Sequence, residues 1–312
     1  MTAEFKHNGQ LISENKPDKS ILQVVQCQNS AGLYCLKEID QSRISASREL
    51  IVFDRITQAK SLPSSSYDHE KELCYVLCPL KAFQNEGKIA MLYPLADGDL
   101  FDWIKAQRTK NRIKHVKEMF IKCVKAVVAL HKLHIYHSDL KPENIMLRRT
   151  KTNSYIPLIG DFGHAYVALP ITSSALNTPH FLDPDEKTTF PNYGTIRVKE
   201  TVKCSRGTLS YVSPEVYFCE NYCPAKADTW SLGVTLWSML FCKNIWPSPD
   251  SELVRLAVTG ELWKVVQMDD YYTKAMRDVF TVDLIDLFQS IFIGYESRIY
   301  PHQILDHVWF KK

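Results

Sequence analysis

Two runs near the start of the chain, SILQVVQCQ (20–28) and LYCLKEI (33–39), are rich in β-branched and aromatic residues. NSAG between them supplies turn residues, so the pair predicts a β-hairpin. SRELIVFDRITQAK (47–60) changes period: apolar residues at 50, 53 and 56 predict a short helix. LPSSSYDHE (62–70) has the composition of a loop. CYVLCPLKAF (74–83) and KIAMLYPL (88–95) predict two further strands, so the chain up to about residue 95 reads as mostly β.

Beyond LADGDL (95–100) a helical period takes over. RIKHVKEMFIKCVKAVVALHKL (112–133) places apolar residues at 116, 119, 120, 123, 124, 127 and 130, one face of a long amphipathic helix. TWSLGVTLWSMLFC (229–242) is the most apolar later segment but too short to span a bilayer, which predicts a buried helix. One long stretch, 165–207, is irregular and rich in Ser, Thr and Pro; a loop of that length in a compact domain is usually functional or disordered. No internal repeat is apparent. The pattern predicts an α+β chain: a small β-rich lobe (1–92), a connector (93–97) and a larger, mainly helical lobe (98–312).

Composition narrows this picture. A chain of 312 residues with 45% apolar and 23% charged side chains is long enough for two lobes and a sizeable core. A net charge of +3 does not indicate a nucleic-acid partner. The polar start MTAEFKHNGQLISENKPDK lacks the apolar segment of a signal peptide. Nine cysteines without such a signal predict reduced thiols and a cytoplasmic or nuclear location. No spacing suits a four-ligand zinc site.

The chemistry concentrates in HSDLKPEN (137–144) and GDFG (160–163). A loop can turn Asp139, Lys141 and Asn144 toward one point. Asp accepts a proton, Lys neutralises phosphate charge and Asn ligates a metal. Asp161, braced by small and aromatic neighbours, suits magnesium, which prefers one or two carboxylates plus phosphate oxygens.

Here the sequence resembles the eukaryotic protein kinases, over nearly the whole chain and with the motifs in the family's order. HSDLKPEN resembles the catalytic loop, and DFG (161–163) the magnesium motif. GTLSYVSPE (207–215) resembles the end of the activation segment, with SPE for the usual APE. DTWSLGVTLW (228–237) resembles the buried helix whose Asp holds the catalytic loop, and SRIYPHQILDHVWF (297–310) the closing segment, where Arg298 is expected to pair with Glu215. YCLK (34–37) resembles the V-A-I-K strand. The resemblance implies a bilobal kinase fold that uses ATP with magnesium, or manganese in its place, and a Ser/Thr-bearing protein substrate. It implies Asp139 as base, Lys141 on the transferred phosphate with Thr208 supporting it, and Asn144 and Asp161 as metal ligands. It further implies Lys37 on the α/β-phosphates, Glu49 as its helical partner, Leu92 as gatekeeper in the YPLADGDLF hinge (93–101) and Asp99 at the ribose. Lys141-Pro142 resembles the serine/threonine branch.

Three of these residues keep a plain alternative: Lys37 taken alone also reads as a snorkelling strand lysine, Glu49 beside Arg48 as a solvated helix face, and Asp99 equally as a helix N-cap. The sequence also departs from the family. ISENKPDKSIL (12–22) stands where G-x-G-x-x-G is expected and contains no glycine. Pro17 removes an N–H there, and Glu14 and Asp18 add negative charge that Lys16 and Lys19 offset. Weaker ATP binding or a more open nucleotide site is expected. Ser138 replaces an arginine that, in many relatives, binds a phosphorylated activation loop. Activity is therefore expected not to depend strictly on phosphorylation of Thr195 or Thr201. An insert, 168–194, precedes Arg197, Lys199, Lys203 and Arg206, which read as an acidic-substrate pocket or as a solvated basic face. No calcium-binding loop or second domain is visible, so regulation is expected from protein partners, localisation or the insert. The main reading is an active Ser/Thr protein kinase. The competing reading is a pseudokinase scaffold binding nucleotide or partners, and a small-molecule kinase comes third.

Overall fold

In the computed structural model the described residues are 5–13, 20–27, 32–61, 71–85, 87–168, 208–218, 222–270, 272 and 277–311. Strands β1 (Phe5–Ser13), β2 (Ile21–Cys27), β3 (Leu33–Asp40), β4 (Lys81–Asn85) and β5 (Lys88–Pro94) form one antiparallel sheet in the order β1-β2-β3-β5-β4. The predicted hairpin is β2–β3, with Leu22 opposite Lys37. Helix α1 (Ile44–Ser61) follows β3 and buries Ala46, Glu49, Val52, Ile56 and Ala59. Glu49 is the one charged side chain on that buried face.

Two elements differ from the expectation. β1 lies in a stretch too polar to stand out; an edge strand is held through its backbone on one side and tolerates such a composition. Residues 74–80, expected as strand, are not one: Leu73–Tyr75 form a 3₁₀ turn, and Val76 makes a single parallel bridge to Ile159. Pro79 has no N–H for a ladder, and the apolar side chains of Leu73 and Val76 join the core of the helical lobe.

The second lobe begins with the short β6 (Gly98–Asp99) and α2 (Leu100–Ala106), followed by the long α3 (Thr109–Lys132). All seven apolar positions of the predicted stripe on α3 are buried. Then come β7 (Ile135–Tyr136), β8 (Ile145–Arg149), β9 (Tyr155–Ile159) and β10 (Tyr166–Val167). β8 pairs with β6 and β9, and β10 pairs with β7. After a short α4 (Pro214–Tyr217), α5 (Pro224–Phe241) runs through the middle of the lobe. It is apolar nearly all round and buried nearly all round. Gly233 is where α8 (Val282–Ile291) reaches it: a Cβ there would overlap Ile291 Cγ2 and stand 2.9 Å from Phe292 Cε1. α6 (Glu252–Val258) and α7 (Leu262–Gln267) precede α8, and α9 (Pro301–Asp306) and α10 (Val308–Lys311) follow it. The arrangement is bilobal, a β-sheet lobe over a helical one. No helix among the described residues is long and apolar enough to cross a membrane.

Candidate active site

The loop His137–Asn144 leaves β7 and hangs from a buried carboxylate of α5. Asp228 accepts from the N–H of His137 at 2.8 Å and of Ser138 at 2.9 Å, and His131 Nε2 lies 2.9 Å from its Oδ2. These contacts satisfy a carboxylate that is costly to bury alone. They also hold Ser138 in the left-handed region, at φ 62°, which turns the chain sharply just before Asp139.

Asp139, Lys141 and Asn144 then converge. Asn144 Nδ2 donates to Asp139 Oδ2 and to the Asp139 carbonyl, both at 2.8 Å. Lys141 Nζ lies 3.2 Å from Asp139 Oδ2 and donates to Thr208 Oγ1 at 2.9 Å. The other carboxylate oxygen, Asp139 Oδ1, is buried and has no hydrogen-bond partner among the described residues. Leaving such an acceptor unsatisfied costs about 1–3 kcal/mol, so it stands out as an acceptor kept open.

GDFG lies against this loop. Gly160 N–H donates to the Asn144 carbonyl at 2.9 Å, and the Gly160 carbonyl is 2.8 Å from His137 Nε2. Phe162 packs on the His137 ring, with centroids 5.1 Å apart. Asp161 itself is left-handed, at φ 62°. Gly163 sits where a Cβ would come within 3.3 Å of Glu49 Oε1.

Lys37 joins the two lobes. Its Nζ donates to Glu49 Oε1 at 2.6 Å and to Asp161 Oδ1 at 3.0 Å. Burial alone disfavours the charged amine, but Glu49 and Asp161 outweigh it and hold the Lys37 pKa well above the usual lysine range. Glu49 is therefore a buried ion-pair partner rather than a solvated helix residue. Arg55, two turns on, donates to the carbonyls of Leu133 and Ala168 at 3.1 and 2.6 Å and fastens α1 to the helical lobe.

Leu92 requires a correction. The β3–β5 register puts Leu92 opposite Leu36 and Tyr93 opposite Cys35. Adjacent strand residues face opposite ways, so Leu92 packs with Val25, Leu36 and Ala90 while Tyr93 faces the cleft. The sequence does not single out Tyr93, because the β3–β5 register that sets it on the Cys35/Lys37 face is visible only in the structure. Its hydroxyl donates to Glu49 Oε2 at 3.2 Å.

Between the lobes lies a cleft of about 220 Å³, lined among others by Leu22, Cys35, Lys37, Leu77, Met146 and Asp161. Its mixed apolar walls and charged end suit a flat aromatic group carrying an anionic tail. Asp99 lines it too, and it also caps α2, accepting the Asp102 N–H at 2.8 Å. Both readings of Asp99 thus have a physical basis. The donor set fits a divalent cation shared with phosphate. Among the described residues no cluster of three or more His, Cys, Asp or Glu could cage a metal alone. One carboxylate plus an amide oxygen instead leaves coordination positions for phosphate and water, as magnesium requires. Beyond the cleft, Arg298 pairs with Glu215 at 2.5 and 3.1 Å, as expected. Residues 14–19 of the glycine-free stretch, 169–194 of the insert, Thr195, Thr201 and the basic residues 197, 199, 203 and 206 lie outside the described residues.

Comparison with known proteins agrees with this geometry. The family described as "Protein kinase domain" matches residues 20–310. The mouse serine/threonine-protein kinase DCLK3 is 24% identical over 281 residues, 88% of this chain and 29% of that protein. The carbon catabolite-derepressing protein kinase of Candida glabrata is 27% identical over 228 residues, 73% of this chain and 30% of that protein. The chain thus spans under a third of these relatives' lengths. A protein kinase domain in general uses ATP with a divalent metal and acts on protein substrates. The chain belongs to the eukaryotic protein kinase family.

Proposed function

We propose that this chain is an active protein kinase that transfers the γ-phosphoryl group of ATP to Ser or Thr hydroxyls of proteins. The observation that carries the reading is the pair of unlike oxygens on Asp139. Asn144 and Lys141 engage Oδ2, while Oδ1 is buried and unpartnered. That is the arrangement of a base oriented by two neighbours with one acceptor oxygen left over for a hydroxyl.

Phosphoryl transfer demands mainly positioning and charge neutralisation. Lys37, held by Glu49, anchors the α/β-phosphates. Asp161 and Asn144 hold magnesium, or manganese in its place, which when bound neutralises phosphate charge. Lys141, steadied by Thr208, lies against the phosphoryl group in transit. Asp139 Oδ1 accepts the proton of the hydroxyl as its oxygen bonds to the γ-phosphorus. The bond from that phosphorus to the β–γ bridging oxygen breaks, and ADP leaves. Leu22, Leu77 and Met146 enclose the adenine, Tyr93 closes the cleft behind it, and Asp99 stands at the ribose end.

The test is transfer from labelled ATP to generic protein substrates, with phosphoamino-acid analysis of the product. Label on Ser and Thr, lost in Asp139→Asn, is the expected result; label on Tyr alone would overturn the Ser/Thr assignment. The glycine-free 12–22 favours one competing reading, a nucleotide-binding scaffold without transfer. It predicts nucleotide binding and no label with any substrate.

A further inference from the structure

We infer that Tyr93 is a positioning residue: its hydroxyl fixes the second oxygen of Glu49, and so holds α1 against the sheet from β5 as well as from β3. Glu49 is the one charged group on the buried face of α1, and each carboxylate oxygen has a donor of its own. Lys37 Nζ takes Oε1 at 2.6 Å, and the Tyr93 hydroxyl takes Oε2 at 3.2 Å. The two donors come from neighbouring strands. β3 and β5 pair with Lys37 opposite Met91 and Cys35 opposite Tyr93, so all four side chains share the face turned toward α1 and the cleft.

The chemistry of the pair is matched. A buried carboxylate with one satisfied oxygen still pays for the other. A phenol is the donor that satisfies it without adding a second positive charge. The hydroxyl also lies 3.6 Å from Met91 Sδ, a weak acceptor that leaves Glu49 as the strong one. Burial, and then the Glu49 charge, push the Tyr93 pKa well above the usual tyrosine range, so the hydroxyl keeps its proton and remains a donor.

The consequence falls on one half of α1. Arg55 fastens the C-terminal half to the Leu133 and Ala168 carbonyls. The half around Glu49 is held through its carboxylate. Lys37 can present its amine to phosphate in a fixed place only while Glu49 stays fixed. In this chain that matters more than usual, because no glycine is present at 12–22 to share the phosphate contacts. The inference rests on the reading of Lys37 as phosphate anchor for its bearing on function, but the tie itself can be measured without nucleotide.

The experiment is amide hydrogen exchange on the full chain, without nucleotide, for wild type, Tyr93→Phe, Glu49→Ala and the double variant. Tyr93→Phe removes one oxygen and leaves the ring in place. Losing a charge-assisted hydrogen bond is expected to speed exchange in the first half of α1 about tenfold. Exchange near Arg55 and throughout α5 should be unchanged. In the Glu49→Ala background the same change should have no effect, because the tie is already cut. If Glu49→Ala loosens α5 as well, Glu49→Gln replaces it, and the effect of the hydroxyl should shrink. Unaltered α1 exchange in Tyr93→Phe, or equal acceleration with and without Glu49, would overturn the inference. Calorimetry with magnesium–ADP adds the functional arm: Tyr93→Phe should weaken binding about tenfold in the presence of Glu49 and not in its absence. A wild type that binds no nucleotide would sink the kinase reading, while the exchange result still decides the role of Tyr93.

Discussion

Asp139 carries the sharpest expectation at the level of single residues. Asn in its place keeps the size and the bond to Asn144 but cannot take a proton. Asp139→Asn should lower transfer about 10³-fold, in the range of a lost general base, and leave magnesium–ADP affinity unchanged by calorimetry. A second expectation concerns alkaline pH. Lys37 and Tyr93 both hold their protons more tightly folded than their ordinary values of 10.5 and 10.0. Groups with raised folded pKa contribute stability that is complete below the unfolded pKa and is lost as pH rises through the folded one. The stability advantage of wild type over Tyr93→Phe, measured by chemical denaturation, should therefore be constant below about pH 9 and shrink above about pH 10. An advantage that grows with pH would contradict the assignment. Lys37, Glu49, Asp139, Lys141, Asn144 and Asp161 were legible in the sequence because their order along the chain is itself a pattern. Tyr93 was not: a strand shows one face to the cleft and the other to the core, and a shift of one position exchanges them. The sequence therefore points to Leu92 for the cleft-facing position, one residue off.

Secondary-structure elements were legible where one face or all faces are apolar. The stripe on α3 and the buried α5 are such cases. The failures have physical causes too. Residues 74–80 look like strand by composition, but Pro79 and the pull of the helical core make them a turn and an extended connector. β1 is polar because an edge strand needs no apolar pattern. The close contact of α5 with α8 gives a test at this scale. Ala in a helix is favoured over Gly by about 1 kcal/mol, yet overpacking costs about 1–3 kcal/mol. At Gly233 the new Cβ would overlap Ile291 and crowd Phe292, so overpacking should win. Gly233→Ala should destabilise by about 1–2 kcal/mol in urea unfolding; a gain in stability would show that α8 can step aside. Arg298→Leu should cost more, about 3–5 kcal/mol, because it leaves Glu215 buried and unpaired. The same denaturation series reads both.

At the scale of the whole molecule, the two lobes meet in a set of contacts that assemble one site. Lys37 reaches Asp161 across the cleft, Arg55 holds the end of α3 and β10, and Asp228 suspends the catalytic loop from the core. These contacts are formed without an arginine at position 138. A phosphatase-treated sample should accordingly keep most of its activity; loss on treatment and recovery on rephosphorylation would contradict this. Whether the assembled site performs transfer decides between kinase and scaffold. The most direct measurement is incorporation of label from γ-labelled ATP into generic Ser/Thr substrates and into the protein itself, with magnesium and with manganese, beside Asp161→Asn. Transfer by wild type and none by the variant is the expected result. No transfer by folded wild type under either metal would contradict it and leave the fold as a scaffold.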